Sequence, residues 1–480
     1  MKKIRMRAWL LVSVMLCGLL FGGVGCGSSS NDQTDLPPAT DDTSTTGERE
    51  LEGYTFTLVS AYIHSYMGEN PTEQEVLFFK RKEQVEEMYG CKIKIKNLYC
   101  EQSVLLPKIL AGDVVGDVVE LMPSMWIPAI ASNCIVPWDD IEGIDVTDES
   151  RWVQAYTNAS MVDGKCYGIQ YATPPEVRTC VLVNKTLLAS KGFTTDLAEL
   201  VNSNEWTFEK FRELCKLVTD DSDSDGDLDT YGLLNWQAGL TAYALSLANG
   251  GGLLSETDGE LTSMLNSAQT TYALNYLDTL VNTDKVVKVW DNMRSEETWN
   301  SMPSDIEIID EFRSGNAAFM ITDSWMVNQY LNGQVSFDYG LVPLPMGPDA
   351  TEYVSPAQNM RVFCMTSTMA QSENVDKAVK VFNALAQPPE GYEGTDWWLE
   401  DIQEEYFQDN DTSSAQMYEL CLNASKVDLG IGVPDMLSGL EWCAASSIYW
   451  KQNTPAAQLE SIANNYRDSI DSIFKFLDDE

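Results

Sequence analysis

From Tyr54 onward the chain alternates short apolar runs with amphipathic stretches. The segment "YTFTLVSAYI" (Tyr54–Ile63) is a β-type run, and "EQEVLFFKRKEQVEEMYG" spaces its apolar residues for a helix that Gly90 ends. Strict alternation in "CKIKIKNLYC" predicts a strand. "SVLLPKILAG" reads as a helix despite its proline, and "DVVELM" (Asp117–Met122) as a short buried strand. Strands separated by helices in this way imply parallel pairing in an α/β layer fold.

The alternation continues. A strand is expected at Tyr167–Tyr171, a Pro-rich crossing at Thr173–Pro175, a strand at Thr179–Val183 and a helix from Asn184. "EWTFEKFRELCKLVTD" (Glu205–Asp220) is an amphipathic helix with Thr207 as its N-cap and Lys210 in its first turn. Helices dominate from Gly239 to about Leu280. Further strands fall at Ala317–Thr322, Phe337–Pro345 and Arg361–Thr366, the last followed by the helix "NVDKAVKVFNALAQP". The C-terminal part is helical, from Leu440 to about Trp450 and again from Pro455 to Phe476.

The N-terminus has a different pattern. Lys2, Lys3, Arg5 and Arg7 precede an uncharged stretch, Ala8 to Gly25, with small residues before Cys26 and a polar tail behind it. A positive start, an apolar middle and a small-residue exit form an export signal. The cysteine at the exit resembles the lipobox of bacterial lipoproteins, which implies cleavage before Cys26 and a lipidated (palmitate-type) thiol. Gly23 stands where the lipobox usually has leucine. A plain secretory peptide, or an uncleaved anchor of about 18 apolar residues, is the alternative. Residues 26–50, rich in Ser, Thr, Asp and Pro, read as a disordered tether.

Composition narrows the function. Of 480 residues 44% are hydrophobic and 10% aromatic, so the body is globular and long enough for two or three domains. The formal net charge is −42; loss of the first 25 residues, with four positive and no negative charges, makes it −46. Such a surface repels nucleic acid and anionic headgroups. The 11 cysteines are scattered without CxxC spacing. A zinc site is therefore not expected, and most of the nine beyond Cys17 and Cys26 read as buried free thiols.

Two constellations carry chemistry. In "DSDSDGDLDTYG", Asp221, Asp223, Asp225 and Asp229 occupy positions 1, 3, 5 and 9 of a calcium-type loop, with Gly226 at position 6 and Asp227 offering its carbonyl at position 7. Position 12, where an EF-hand has glutamate, is Gly232, so the expectation is a structural Ca²⁺ with an incomplete shell; the alternative is a solvated acidic loop. The second constellation is aromatic. Tyr62, Trp126, Tyr171, Trp236, Trp325, Trp397, Trp398, Trp442, Tyr449 and Trp450 offer flat rings that suit the apolar faces of sugars, although each can equally serve the core. Trp325 is singled out because the chain leaves a buried strand there, in "ITDSW", and Trp442 because it follows the Gly/Pro segment "GIGVPDMLSG". Catalytic motifs are scarce. There is one histidine, His64, and no GxSxG, P-loop or suitably flanked GxGxxG.

The ordered segments "LAGDVVGDVVEL", "DGKCYGIQY…VLVNKTLL", "EWTFEKFRELCKLVTDDSDSDGDLDTYGL", "FRSGNAAFMITDSW", "DYGLVPLPMGP" and "NTPAAQLESI" resemble extracellular solute-binding protein family 1, the maltose-binding-protein-like receptors of ABC importers. The resemblance implies a two-lobed periplasmic-binding-protein fold of type II, each lobe an α/β sheet flanked by helices. It divides the chain into lobe 1 (51–174 plus 345–430) and lobe 2 (175–344 plus 431–480). Solute would bind in the cleft and be delivered to the permease subunits. By that likeness the ligand contacts are Trp325 and Trp442, with Tyr171 and Glu176 near the first crossing; Trp236, Trp126, His64 and Asp323 complete the expected set. The implied protein is a monomeric lipid-anchored carbohydrate receptor on the outer face of the cytoplasmic membrane of a Gram-positive bacterium. It needs no catalytic cofactor, touches no nucleic acid and is not an enzyme. A cell-surface sensor, a binder of a non-sugar solute and a polysaccharide-active enzyme are the alternatives.

Overall fold

The computed structural model describes residues 49–61, 63, 65–67, 73–98, 102–171, 175–225, 228–235, 238–257, 260–299, 304–388, 397–407 and 411–475. Period-two patterning decides the first strands: Thr55–Val59 (β1) and Lys92–Lys96 (β2) bury alternate residues and pair in parallel, Thr55 opposite Lys92. Val118–Leu121 (β3) is buried throughout and pairs in parallel with β1. Ile135–Val136 (β4) closes one edge of this sheet.

Four strands form a second sheet. They are Cys180–Asn184 (β5), Tyr231–Asn235 (β6), Ala317–Thr322 (β7) and Tyr339–Val342 (β8), in the order β8-β5-β7-β6. The chain then returns to the first sheet with Val362–Thr366 (β9), giving β2-β1-β3-β9-β4. Parallel pairing holds for β1 with β2 and β3 and for β6 with β7. Both sheets are nevertheless mixed, because β9 runs antiparallel to β3 and β5 antiparallel to β7 and β8. A strand that enters from the other sheet, without a helical crossover, is free to run in the opposite direction.

The helices follow their patterns. Glu73–Tyr89 (α1) ends at Gly90, whose φ of 70° suits a residue without a Cβ. Pro123–Ala131 (α2) is buried on nearly every side. Phe208–Val218 (α3) starts at Thr207, whose hydroxyl accepts from Lys210 N at 3.3 Å, and buries Phe208, Phe211, Leu214, Cys215 and Val218. Ala238–Ala248 (α4) and Ala268–Asp278 (α5) flank an antiparallel hairpin, Leu254–Thr257 with Glu260–Ser263, inside a stretch expected to be helical. Val375–Leu385 (α6) and Met436–Ala444 (α7) follow, and the terminal helical run is broken into Pro455–Ile462 and Arg467–Ile473. No described helix is long and apolar enough to cross a membrane.

The expected strand at Tyr167–Tyr171 is instead two isolated bridges, Ile169 to Phe363 and Trp152 to Tyr171. A Cβ on Gly168 would meet Val362 at 2.3 Å, so the chain crosses β9 closely rather than extending a ladder. One core packs Trp138, Trp152, Tyr171 and Phe363 around Phe382 of α6, with Trp138 stacked on that ring at 5.4 Å. A larger core fills the remaining layers around both sheets. Eight described cysteines are buried and none of them forms a disulfide. Cys26 and Cys100 lie outside the described residues, and Gly47 to Glu480 cluster as one unit that contains both sheets.

Candidate functional site

In open α/β sheets, ligands gather at the carboxyl ends of parallel strands, where the chain turns out of the layer. Those ends are Val59 for β1, Leu121 for β3, Asn235 for β6 and Thr322 for β7. Ser60, just past β1, bonds the carboxylate of Glu120 on β3, and both are buried. Burial pushes the Glu120 carboxyl up, against the opposing pull of Ser60, Arg361 and Arg178. Glu176 Oε2 takes Arg178 Nη2 at 2.6 Å and Arg361 Nη2 at 3.1 Å. Arg178 also feels the charge of Asp323, just past β7. Carboxylates from the ends of both sheets thus face one arginine.

Three connecting segments run beside that cluster and bond one another. Ser355 Oγ donates to Thr179 O at 2.6 Å, and Thr179 Oγ1 donates to Pro356 O at 2.8 Å. Ser355 and Pro356 pair in parallel with Ser425 and Lys426. Ser324 and Val177 exchange two hydrogen bonds at 3.0 Å, and Tyr418 Oη donates to Pro175 O at 2.6 Å. Bonded strands without helical crossovers at this place are suited to bending.

An aromatic wall stands at the β6 end. Asn235 Nδ2 donates to Tyr449 Oη at 2.7 Å. Tyr449 packs on Trp299 at 5.7 Å, Trp299 meets Trp450 edge-on at 5.4 Å, and Trp450 meets Trp442 edge-on at 4.7 Å. The wall exists because α7 continues into a π-helical turn, Ala445–Tyr449, in which Trp450 N donates to Ala445 O. The extra residue in that turn rotates the rings that follow; such turns are frequent at functional sites. Trp325 is half-buried against Tyr330 at 5.8 Å and leads into a second π-helical turn, Val327–Leu331. Beside Trp442, Glu441 lies so close to α4 that a Cβ on Gly239 would meet its Cβ at 2.6 Å, and desolvation pushes its carboxyl up to about 7.

The expected residues divide. Trp325, Asp323 and Glu176 stand at the strand ends or the connecting segments, and Trp442 is 49% exposed on the wall. Trp126 is placed differently. Its ring is fully buried in α2, which packs all round into the core. Tyr171 is likewise a core residue, 4.7 Å from Phe363, with its hydroxyl unpartnered. His64, Trp236 and Tyr62 lie outside the described residues. Sequence reasoning missed Trp299, Asn235, Glu120, Arg178 and Arg361. Only Trp299 had a usable signal, an indole alone among polar residues in "RSEETWN".

Away from this site, ligand oxygens of Asp221, Asp223 and Asp225 all lie within 4.8 Å of one another. That equals the span of two oxygens on opposite sides of one Ca²⁺ at about 2.4 Å. Asp229 Oδ2 accepts from Ser222 N at 2.7 Å, and Ser224 takes a left-handed φ of 60°. Asp227 and Gly226 lie outside the described residues. Gly232 sits where a Cβ would meet that of Cys215 at 2.5 Å, so no side chain reaches the loop from position 12.

The family model for bacterial extracellular solute-binding proteins matches residues 80–457, and the chain belongs to that family. No curated protein matches in sequence. Solved structures that the chain resembles include a cyclo/maltodextrin-binding protein complexed with maltotetraose (16% identity, TM-score 0.60, covering 87% of this chain and 97% of that one). MalE of Bdellovibrio bacteriovorus bound to maltotriose is similar (17%, 0.56, 87% and 99%), as is UgpB of Mycobacterium tuberculosis in complex with glycerophosphocholine (15%, 0.60, 87% and 98%). The fold is accordingly the two-lobed α/β binding-protein fold, one sheet to each lobe.

Proposed function

We propose that this protein captures a mono- or oligosaccharide between its two sheets and delivers it to an ABC importer, by binding without chemistry. The carrying observation is the set of indole rings beside buried polar groups at the carboxyl ends of β6 and β7: Trp299, Trp442 and Trp325 with Asn235 and Asp323. Flat rings cover the apolar face of a sugar while carboxylates and amides take its hydroxyls. Maltotriose and maltotetraose in structurally similar proteins support the reading. Closure would bend the three connecting segments between lobe 1 (51–174, 345–430) and lobe 2 (175–344, 431–480). A lipid on Cys26 would hold the monomer at the outer face of the cytoplasmic membrane. The acidic loop would take a structural Ca²⁺ on Asp221, Asp223 and Asp225, pinning charges that otherwise repel.

Titration with a panel of neutral and charged glycans, followed by tryptophan fluorescence, tests this. Saturable quenching by at least one glycan, weakened in Trp442→Ala, is expected. If no glycan binds while a peptide does, the carbohydrate assignment is wrong.

A further inference from the structure

The end of the site at Trp442 is more specific than a sugar platform requires. An open recess of about 540 Å³ is lined by Glu296, Glu297, Trp299 and Trp442, with no basic side chain among its described lining residues. Both glutamates are exposed, stand on the short helix Glu296–Trp299 and share the lining of the recess with the Trp299 ring. Two indole rings and two carboxylates around one open recess form an environment that attracts positive charge. Indole faces attract ammonium groups through their quadrupole, and nearby carboxylates add a coulombic attraction. A neutral sugar uses the rings and can hydrogen-bond the carboxylates, but gains no coulombic attraction from them.

We propose that the recess formed by Glu296, Glu297, Trp299 and Trp442 selects a solute with a protonated amino group, so that the captured glycan is an amino sugar with a free amine. This rests on the reading of the space between the sheets as the solute site. The high negative charge of the whole chain favours the approach of a cation.

The test compares three tetrasaccharides by calorimetry and tryptophan fluorescence at mildly acid pH, where amines are protonated. The probes are the fully deacetylated glucosamine tetramer, its N-acetylated counterpart and maltotetraose. The glucosamine tetramer is expected to bind about ten-fold more tightly than either neutral sugar, an advantage that shrinks several-fold on going from low to about 0.5 M salt. In Glu296→Gln/Glu297→Gln, both changes at exposed positions, the advantage should fall below about three-fold, chiefly through weaker binding of the glucosamine tetramer. Equal or tighter binding of the neutral tetramers overturns the inference and leaves the solute site standing. Binding of none of the three overturns the inference, and the wider glycan panel then decides the carbohydrate reading separately. An advantage that survives in the double variant places the selectivity elsewhere and also overturns it.

Discussion

Replacing Glu441 by glutamine tests the packing of α7 on α4. The carboxyl is raised from 4.5 to about 7 by desolvation alone. A carboxyl whose folded pKa lies above its unfolded one is penalised when ionised. The penalty is absent well below pH 4.5, grows between 4.5 and 7, and is complete above 7. At 1.36 kcal/mol per decade it reaches about 3 kcal/mol at pH 8 and stays under about 1 kcal/mol at pH 5. Glutamine keeps the shape without the charge, so the variant should be the more stable protein at pH 8. The unit from Gly47 to Glu480 has an unfolding entropy of about 0.9 kcal/mol per kelvin at about 2.1 cal/mol/K per residue. The variant should therefore melt about 3–4 °C above wild type at pH 8 and within about 1 °C of it at pH 5, by scanning calorimetry on ligand-free protein. A Tm difference that does not change with pH, or a variant that melts below wild type at pH 8, would refute the reasoning.

Three further expectations follow from the same structure. Calcium at about 10 mM should raise Tm by about 2–3 °C if the loop binds with a Kd of about 0.1–1 mM, and Asp223→Ala with Asp225→Ala should remove the gain; wild type melting alike in calcium and in excess chelator would remove the ion from the account. Trp126→Ala should cost about 3–5 kcal/mol as a core cavity and leave solute affinity unchanged in the protein that folds; lost affinity with an intact fold would return Trp126 to the site. Arg361→Leu removes one of the two arginine charges that oppose the desolvation of Glu120, so unfolding should become easier as pH rises from about 5 to 8 relative to wild type, and an unchanged pH profile would deny that coupling.

Much of the fold was legible because periodicity is local. Strands β2, β7 and β9 and helices α3 and α6 fall within a few residues of where their patterns put them. The failures are tertiary. Tyr167–Tyr171 has β-type composition, but the close crossing of Gly168 over Val362 leaves it no ladder to join. The hairpin after α4 was hidden because Leu254–Ser263 carries no long apolar run. The direction of β9 depends on which sheet the chain arrives from, and no window of sequence contains that.

The site divides along the same line, and its aromatic residues show why. Trp126 and Trp442 each lie in a helix near the end of a strand or loop, so composition and spacing rank them alike. What separates them is surroundings. α2 is covered on nearly every face, whereas α7 buries Leu440, Cys443 and Ala444 and leaves Trp442 outward, where the π-helical turn brings Trp450 against it. Rotation by one residue in that turn moves a ring by about 100°, enough to exchange core for surface. Trp299 then completes the wall from a segment more than 140 residues earlier in the chain, through Tyr449 and Asn235. Strand-end residues such as Trp325 are readable because leaving a buried strand fixes where they go. A ring whose exposure depends on helix phase and on a distant neighbour becomes assignable only once those contacts are known.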